Sequence, residues 1–269
     1  MYETIKVDRE DHLTWLTLNR PDSLNAMNRT LIREVSDFFQ NLPADRQTRV
    51  VVMRGAGRAF CAGLDLKETG SQQEAASSAG PSIVGNLRGQ REVSEIVLRM
   101  RRAPQPIIAA VHGAAAGGGF GMALAADVRI AGTSARMNAA FIRIGLSACD
   151  IGVSYFLPRL IGASIASELL LTGDFIEAER AERLGLVSRV VPDEELEASA
   201  RELAGRMLRN SPAGLRLTKD CLKHSLDAGS LEQVVGIEDR NQILCVQSRD
   251  FKEGVTAFLQ KRPATFTDD

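Results

Sequence analysis

The sequence lacks any long apolar run, any excess of one charge and any clustering of cysteine with histidine, and each absence closes a class of function. No stretch is long and apolar enough to span a bilayer, so no membrane partner is expected. With 33 basic against 34 acidic residues the formal net charge is −1, and no field gathers nucleic acid. The four cysteines, Cys61, Cys149, Cys221 and Cys245, are widely spaced, and the three histidines add no ligand pattern to them. No metal site is expected, and the thiols read as reduced. Residues Met1 to Lys6 open the chain with charge rather than the apolar core of a secretion signal, so a soluble cytoplasmic protein is the expectation.

What is present is an alternation of short apolar runs and helical periods. At 269 residues and 44% hydrophobic composition the chain can build one sizeable core. Leu13–Leu18, Val50–Met53, Ile107–Val111, Val128–Ala131 and Val187–Val191 read as strands. Leu31, Val35, Phe38, Phe39 and Leu42 follow the helical period from an N-cap at Thr30 to a stop at Pro43. Residues 69 to 90, rich in Gly, Ser, Ala and Gln, read as a mobile loop, and Glu92 to Met100 as a helix ended by Pro104 and Pro106. Thr172-Gly173-Asp174 reads as the opening of a helix that runs to Leu184 and is capped by Gly185. Beyond Pro192 the pattern is almost wholly helical. Together these predict an α/β core over residues 1–195 and a helical region over 196–269.

Two glycine turns carry the chemistry. Gly117 to Gly119 follow the Ile107–Val111 strand and precede helical spacing at Phe120, Met122, Leu124 and Ala125. Unpaired N–H groups at a helix start carry the positive end of the helix dipole, and without a Cβ they can be approached closely. An earlier turn, Cys61-Ala62-Gly63-Leu64, also follows an apolar strand and precedes the polar segment Asp65-Leu66-Lys67-Glu68. Two donors converging on one oxygen would stabilise an enolate. Taken alone, the triplet serves equally as a tight turn or a close packing contact.

Taken in order, these and further motifs resemble the crotonase family of enoyl-CoA hydratases and isomerases. The resemblance rests on Asn19-Arg20-Pro21 with Leu24-Asn25-Ala26-Met27, Ala59 to Lys67, the glycine triplet with Asp127, Leu171-Thr172-Gly173-Asp174, Gly185-Leu186-Val187, and Glu253 to Phe258 with Lys261-Arg262. It implies a spiral of repeated ββα turns followed by C-terminal helices that build a homotrimer or a dimer of trimers. It also implies coenzyme A thioesters as substrates, with oxyanion donors at the backbone N–H groups of Leu64 and Gly118. Coenzyme A contacts fall at Ala62, Leu64, Asp65, Leu66 and Lys67, and at Lys261, the last reaching a neighbouring subunit.

Family hydratases use two glutamates, at positions that here read Gly121 and Phe141. Neither residue can transfer a proton, which disfavours ordinary hydration. One carboxylate remains: Asp150 resembles the aspartate base of family dienoyl-CoA isomerases, with one additional residue before it counted from Gly145. Its other reading is a turn aspartate satisfied by backbone N–H groups. Isomerisation with Asp150 as base is therefore the leading expectation. The alternatives are an acyl-CoA decarboxylase or carbon–carbon hydrolase, which needs no base, and a non-catalytic acyl-CoA-binding protein. His112 reads as core or hydrogen-bonded scaffold, Cys149 as inert, and Glu68, Glu92 and Glu95 as solvated charges.

Overall fold

The computed structural model describes residues 2–68 and 82–268. In chain order its strands are β1 (Ile5–Glu10), β2 (Leu13–Leu18), β3 (Val50–Gly55), β4 (Ile107–Val111), β5 (Ala114–Ala116), β6 (Val128–Gly132), β7 (Arg136–Asn138), β8 (Ile176–Glu177) and β9 (Val190–Val191). The first helices are α1 (Arg29–Asn41), α2 (Ile83–Arg102), α3 (Gly118–Ala125), α4 (Val153–Ile161), α5 (Ala163–Thr172) and α6 (Ala178–Arg183). The C-terminal ones are α7 (Leu196–Leu208), α8 (Pro212–Ser225), α9 (Leu231–Val246) and α10 (Arg249–Leu259).

A six-stranded sheet runs β1-β2-β3-β4-β6-β9, and β5-β7-β8 form a second, smaller one. Only β1 is antiparallel in the large sheet, with Ile5 opposite Leu18; Leu13 of β2 pairs in parallel with Val50, and Val51 with Ile107. The apolar runs show no polar alternation because both faces of the sheet are covered. Leu16, Leu18, Val51, Met53, Ile107 and Ala109 face the main core. Leu13, Trp15, Val50, Val52, Ile108 and Ala110 face the other side, where Leu196, Ala200 and Ala204 of α7 cover them. Each fully buried Val, Leu, Ile or Met among them contributes about 1.5–3 kcal/mol.

Several boundaries differ from the sequence reading. Asn28, not Thr30, caps α1, its Oδ1 accepting from the N–H of Leu31 at 2.9 Å. Residues 83–90, read as loop, are the first two turns of α2, started by Ser82, whose Oγ accepts from Gly85 N at 3.1 Å. The rest of that expected loop, 69–81, lies outside the described residues. Thr172 closes α5 instead of opening a helix: Gly173 takes φ +69° as its left-handed cap, and β8 intervenes before α6. Gly185 does follow α6 with φ +77°, as a helix-ending glycine should. The last run shortens to Val190–Val191.

Lys219 ties α8 to the core. Its side chain is 6% exposed, and the ammonium donates to the carbonyls of Met100 and Gln105, at 3.3 and 2.8 Å, beside Asp127 Oδ2 at 2.8 Å. Burial pulls its pKa below the ordinary lysine value, and the Asp127 carboxylate opposes that only in part. Farther out, α9 and α10 leave Leu231, Ile243, Leu244, Phe258 and Leu259 exposed.

Candidate active site

The first glycine turn is braced from both sides. Leu24 and Asn25 adopt left-handed φ values of +52° and +56°, which turns the Asn25 side chain inward to donate to the carbonyls of Ala56 and Ala59 at 2.9 and 2.8 Å. Arg20 donates to the carbonyl of Ala26 and, at 2.9 Å, to Asp65 Oδ2. Burial would raise the Asp65 carboxyl, but hydrogen bonds from Arg20 and from the amides of Glu68 and Lys67, with the Arg20 charge, hold it below the usual carboxylate range. Met27 then pairs in parallel with Leu64: its N–H donates to Gly63 O at 2.7 Å and its carbonyl accepts from Asp65 N at 3.1 Å. In that pattern the N–H of Leu64 itself points away from Met27.

On its other side the same segment meets the second turn. Cys61 N donates to Ala114 O at 3.0 Å, and Ala116 N donates to Cys61 O at 2.9 Å, so β5 delivers the glycine triplet alongside residues 61–64. Gly63 (φ +94°) and Gly117 (φ +52°) supply backbone conformations that other residues avoid. A Cβ on Gly63 would sit 2.8 Å from Ala116 O and 3.6 Å from Gly118 N, which fixes how closely the turns approach. Gly118 is the first residue of α3, a helix buried over all eight of its residues. The N–H groups of Leu64 and Gly118 have no hydrogen-bond partner among the described residues. At a helix start such a free N–H is intrinsic, since no carbonyl precedes it in register.

The side chains facing this junction are apolar. A Cβ on Gly118 would meet Met27 Sδ at 2.5 Å and Ile151 Cδ1 at 3.8 Å, and one on Gly117 would lie 3.4 Å from Cε1 of Phe141. Asp150 adjoins Ile151 and is half-buried. Its Oδ1 accepts from Ile151 N at 2.7 Å and from Gln90 Nε2 at 2.5 Å, while Oδ2 accepts no hydrogen bond among the described residues. Cys61, fully buried, has its thiol pushed up to about 12, chiefly by burial, and is no nucleophile.

The model of the family described as enoyl-CoA hydratase/isomerase matches residues 8–269. The chain belongs to the enoyl-CoA hydratase/isomerase family. It is 42% identical over 255 residues to a probable enoyl-CoA hydratase of Mycobacterium bovis, covering 94% of this chain and 89% of that one. To the 1,2-epoxyphenylacetyl-CoA isomerase of Escherichia coli it is 35% identical over 267 residues, 99% of each chain. Among solved structures, a probable enoyl-CoA hydratase/isomerase from Mycobacterium abscessus matches with a TM-score of 0.89 at 38% identity, over 99% of this chain and 100% of the other. The spiral architecture expected from the sequence is therefore the crotonase fold, and the chain is an enzyme of the lyase or isomerase kind that this family comprises.

Within this family frame, the structure brings Ala62, Leu64, Gly118 and the Asp150 segment to one junction. Leu64, Leu66 and Lys67 are exposed beside it, with Asp65 held underneath by Arg20. Lys261 lies elsewhere in the chain, exposed just after α10 with φ +54°. His112 is scaffold, its Nε2 bonded to the carbonyl of Gly57 at 2.8 Å, and Cys149 is exposed. Glu95 is engaged by Arg99 and Arg102, and Glu92 is exposed on α2. Sequence reasoning missed Gln90 and Ile151, and it named Met27 only within the Leu24–Met27 motif, not as a wall of the junction. For Gln90 the signal was available in Ser82 followed by Ile83, Val84 and Leu87 at helical spacing. Met27 and Ile151 gave none, because only the fold carries them to α3.

Proposed function

We propose that the protein isomerises unsaturated acyl-CoA thioesters, moving a double bond along the acyl chain without adding water. The N–H groups of Leu64 and Gly118 hold the thioester oxygen, and Asp150 removes a proton from one carbon and returns it to another two positions along. As the carboxylate takes the proton, the electron pair of that C–H bond moves into the conjugated system and charge collects on the oxygen between the two amides. Reprotonation by the same carboxyl restores the neutral thioester, so a single base suffices. Asp150 suits this task because Oδ1 is held by Gln90 and Ile151 while Oδ2 accepts no hydrogen bond among the described residues.

The observation that carries the reading is the lining of the junction. Met27, Phe141 and Ile151 face the glycine turn and the start of α3, none of them titratable, and Asp150 is bonded to the N–H of Ile151. A second base to activate water has no side chain at positions 121 and 141, where family hydratases place their glutamates. The isomerase named among the relatives supports this direction, whereas the mycobacterial relative's name points to hydration. Coenzyme A lies along Ala62, Asp65, Leu66 and Lys67, and Lys261 serves a neighbouring subunit in a trimer or dimer of trimers built on the exposed apolar faces of α9 and α10.

The test is to supply 3-enoyl-CoA, 3,5-dienoyl-CoA, crotonyl-CoA and a malonyl-type thioester and to follow conjugation by absorbance and carbon dioxide release. Isomerisation that collapses in Asp150→Asn is the expected result. Decarboxylation is the second reading, favoured by Gly121 and Phe141, and it would persist in that variant. Efficient hydration of crotonyl-CoA would refute the base assignment.

A further inference from the structure

Ile151 has the most costly backbone of any residue near the junction. Its φ is +37°, in a region that β-branched residues avoid, yet its side chain is only 5% exposed. Such strain persists only where the surrounding structure over-determines it. The side chain's destination is equally specific. A Cβ built on Gly121 would overlap Cδ1 of Ile151 and lie 2.5 Å from its Cγ1, and Cδ1 is 3.8 Å from a Cβ on Gly118. The volume that a side chain of α3 would occupy is thus filled from the opposite segment, by a residue forced into place.

We propose that Ile151 is the specificity-determining residue of the acyl pocket, closing the space over the first turn of α3 so that acyl groups unbranched at C2 are accepted and branched ones refused. The inference rests on the acyl-CoA reading above. With coenzyme A on the Ala62–Lys67 side and the thioester oxygen on Gly118 N, the acyl carbons next to the carbonyl run toward α3. There they meet the Ile151 methyl and the Phe141 ring, which approach the glycine turn at successive residues, Gly118 and Gly117. A flat conjugated chain passes such walls; a methyl branch at C2 needs the volume that Cδ1 holds.

The test is calorimetric titration of the intact protein with two saturated, unreactive thioesters, butanoyl-CoA and 2-methylbutanoyl-CoA. Wild type should prefer the straight chain by roughly tenfold or more, the scale at which one misfitting methyl is felt. Ile151→Val removes only the Cδ1 methyl and keeps the branched Cβ, so it separates the contact from the fold. It should cut the preference to about threefold or less by tightening the branched ligand. Ile151→Ala should abolish it. Gly121→Ala should weaken both ligands in wild type and be relieved by Ile151→Ala, which removes both Cδ1 and Cγ1 from the space that the new Cβ needs. An unchanged preference in Ile151→Val and Ile151→Ala overturns the proposal, as does a wild type that binds both alike. Selective binding without isomerisation would overturn only the reaction assignment, whereas binding of neither thioester would overturn both.

Discussion

Asp65 shows how a single residue couples charge to the shape of the junction. Its folded pKa lies below the unfolded value, so its stabilisation is fully present above about pH 4 and is lost as pH falls through the lower folded value. Asp65→Asn should accordingly flatten the acid limb of the stability curve, read by urea midpoints between pH 5 and 2.5, and leave the curve at pH 6–8 parallel to wild type. Gly63→Ala places a Cβ 2.8 Å from Ala116 O at φ +94°. It should cost roughly 1–3 kcal/mol of stability and, by re-aiming the Leu64 amide, about 10² or more in kcat; a thermal melt with steady-state kinetics measures both. Asp150→Asn should lower kcat by about 10²–10⁴ with KM little changed, as loss of a general base requires. At this scale the two glycine turns were legible because strand, glycine and helix signals are local, whereas Asp150 came forward through the family resemblance alone, and Asp150→Asn tests its role. The contacts that Gln90, Met27 and Ile151 make were not legible, since they join distant segments.

Among the elements, the five strands read from apolar runs all belong to the main sheet, whose two buried faces need no alternation, whereas β5, β7 and β8 of the smaller sheet are two or three residues long and were not read. Helix starts were harder. Asn28 displaced Thr30 as the cap of α1, and the Ser- and Gly-rich composition before residue 83 concealed the first turns of α2, whose Gln90 reaches Asp150. The tie between α8 and the core could not be read at all, because a lysine within a helical period looks solvated until the fold buries it. Lys219→Ala removes the ammonium from Asp127 and from two carbonyls, and should cost about 3–5 kcal/mol in urea unfolding, the scale for breaking a buried pair. A loss below 1 kcal/mol would mean that Asp127 is neutralised by Arg101 alone, 3.2 Å away.

For the whole molecule, the family and its fold followed from motifs spread from Asn19 to Arg262, whereas the reaction depends on what stands at a few positions around one turn. Phe258 is 80% exposed and Leu259 74%, a density of apolar surface that calls for a covering partner. Sedimentation should report a trimer or hexamer, and Leu231→Asp with Phe258→Asp should yield monomers with weakened acyl-CoA binding, because Lys261 would lose its neighbour. In the proposed reaction two main-chain amides from separate turns share one substrate oxygen, and a crystal structure with a bound, unreactive acyl-CoA would show whether they do. The thioester oxygen should lie about 2.7–3.1 Å from both Leu64 N and Gly118 N; a carbonyl held by any other pair of groups, with these two amides turned away, would contradict the account.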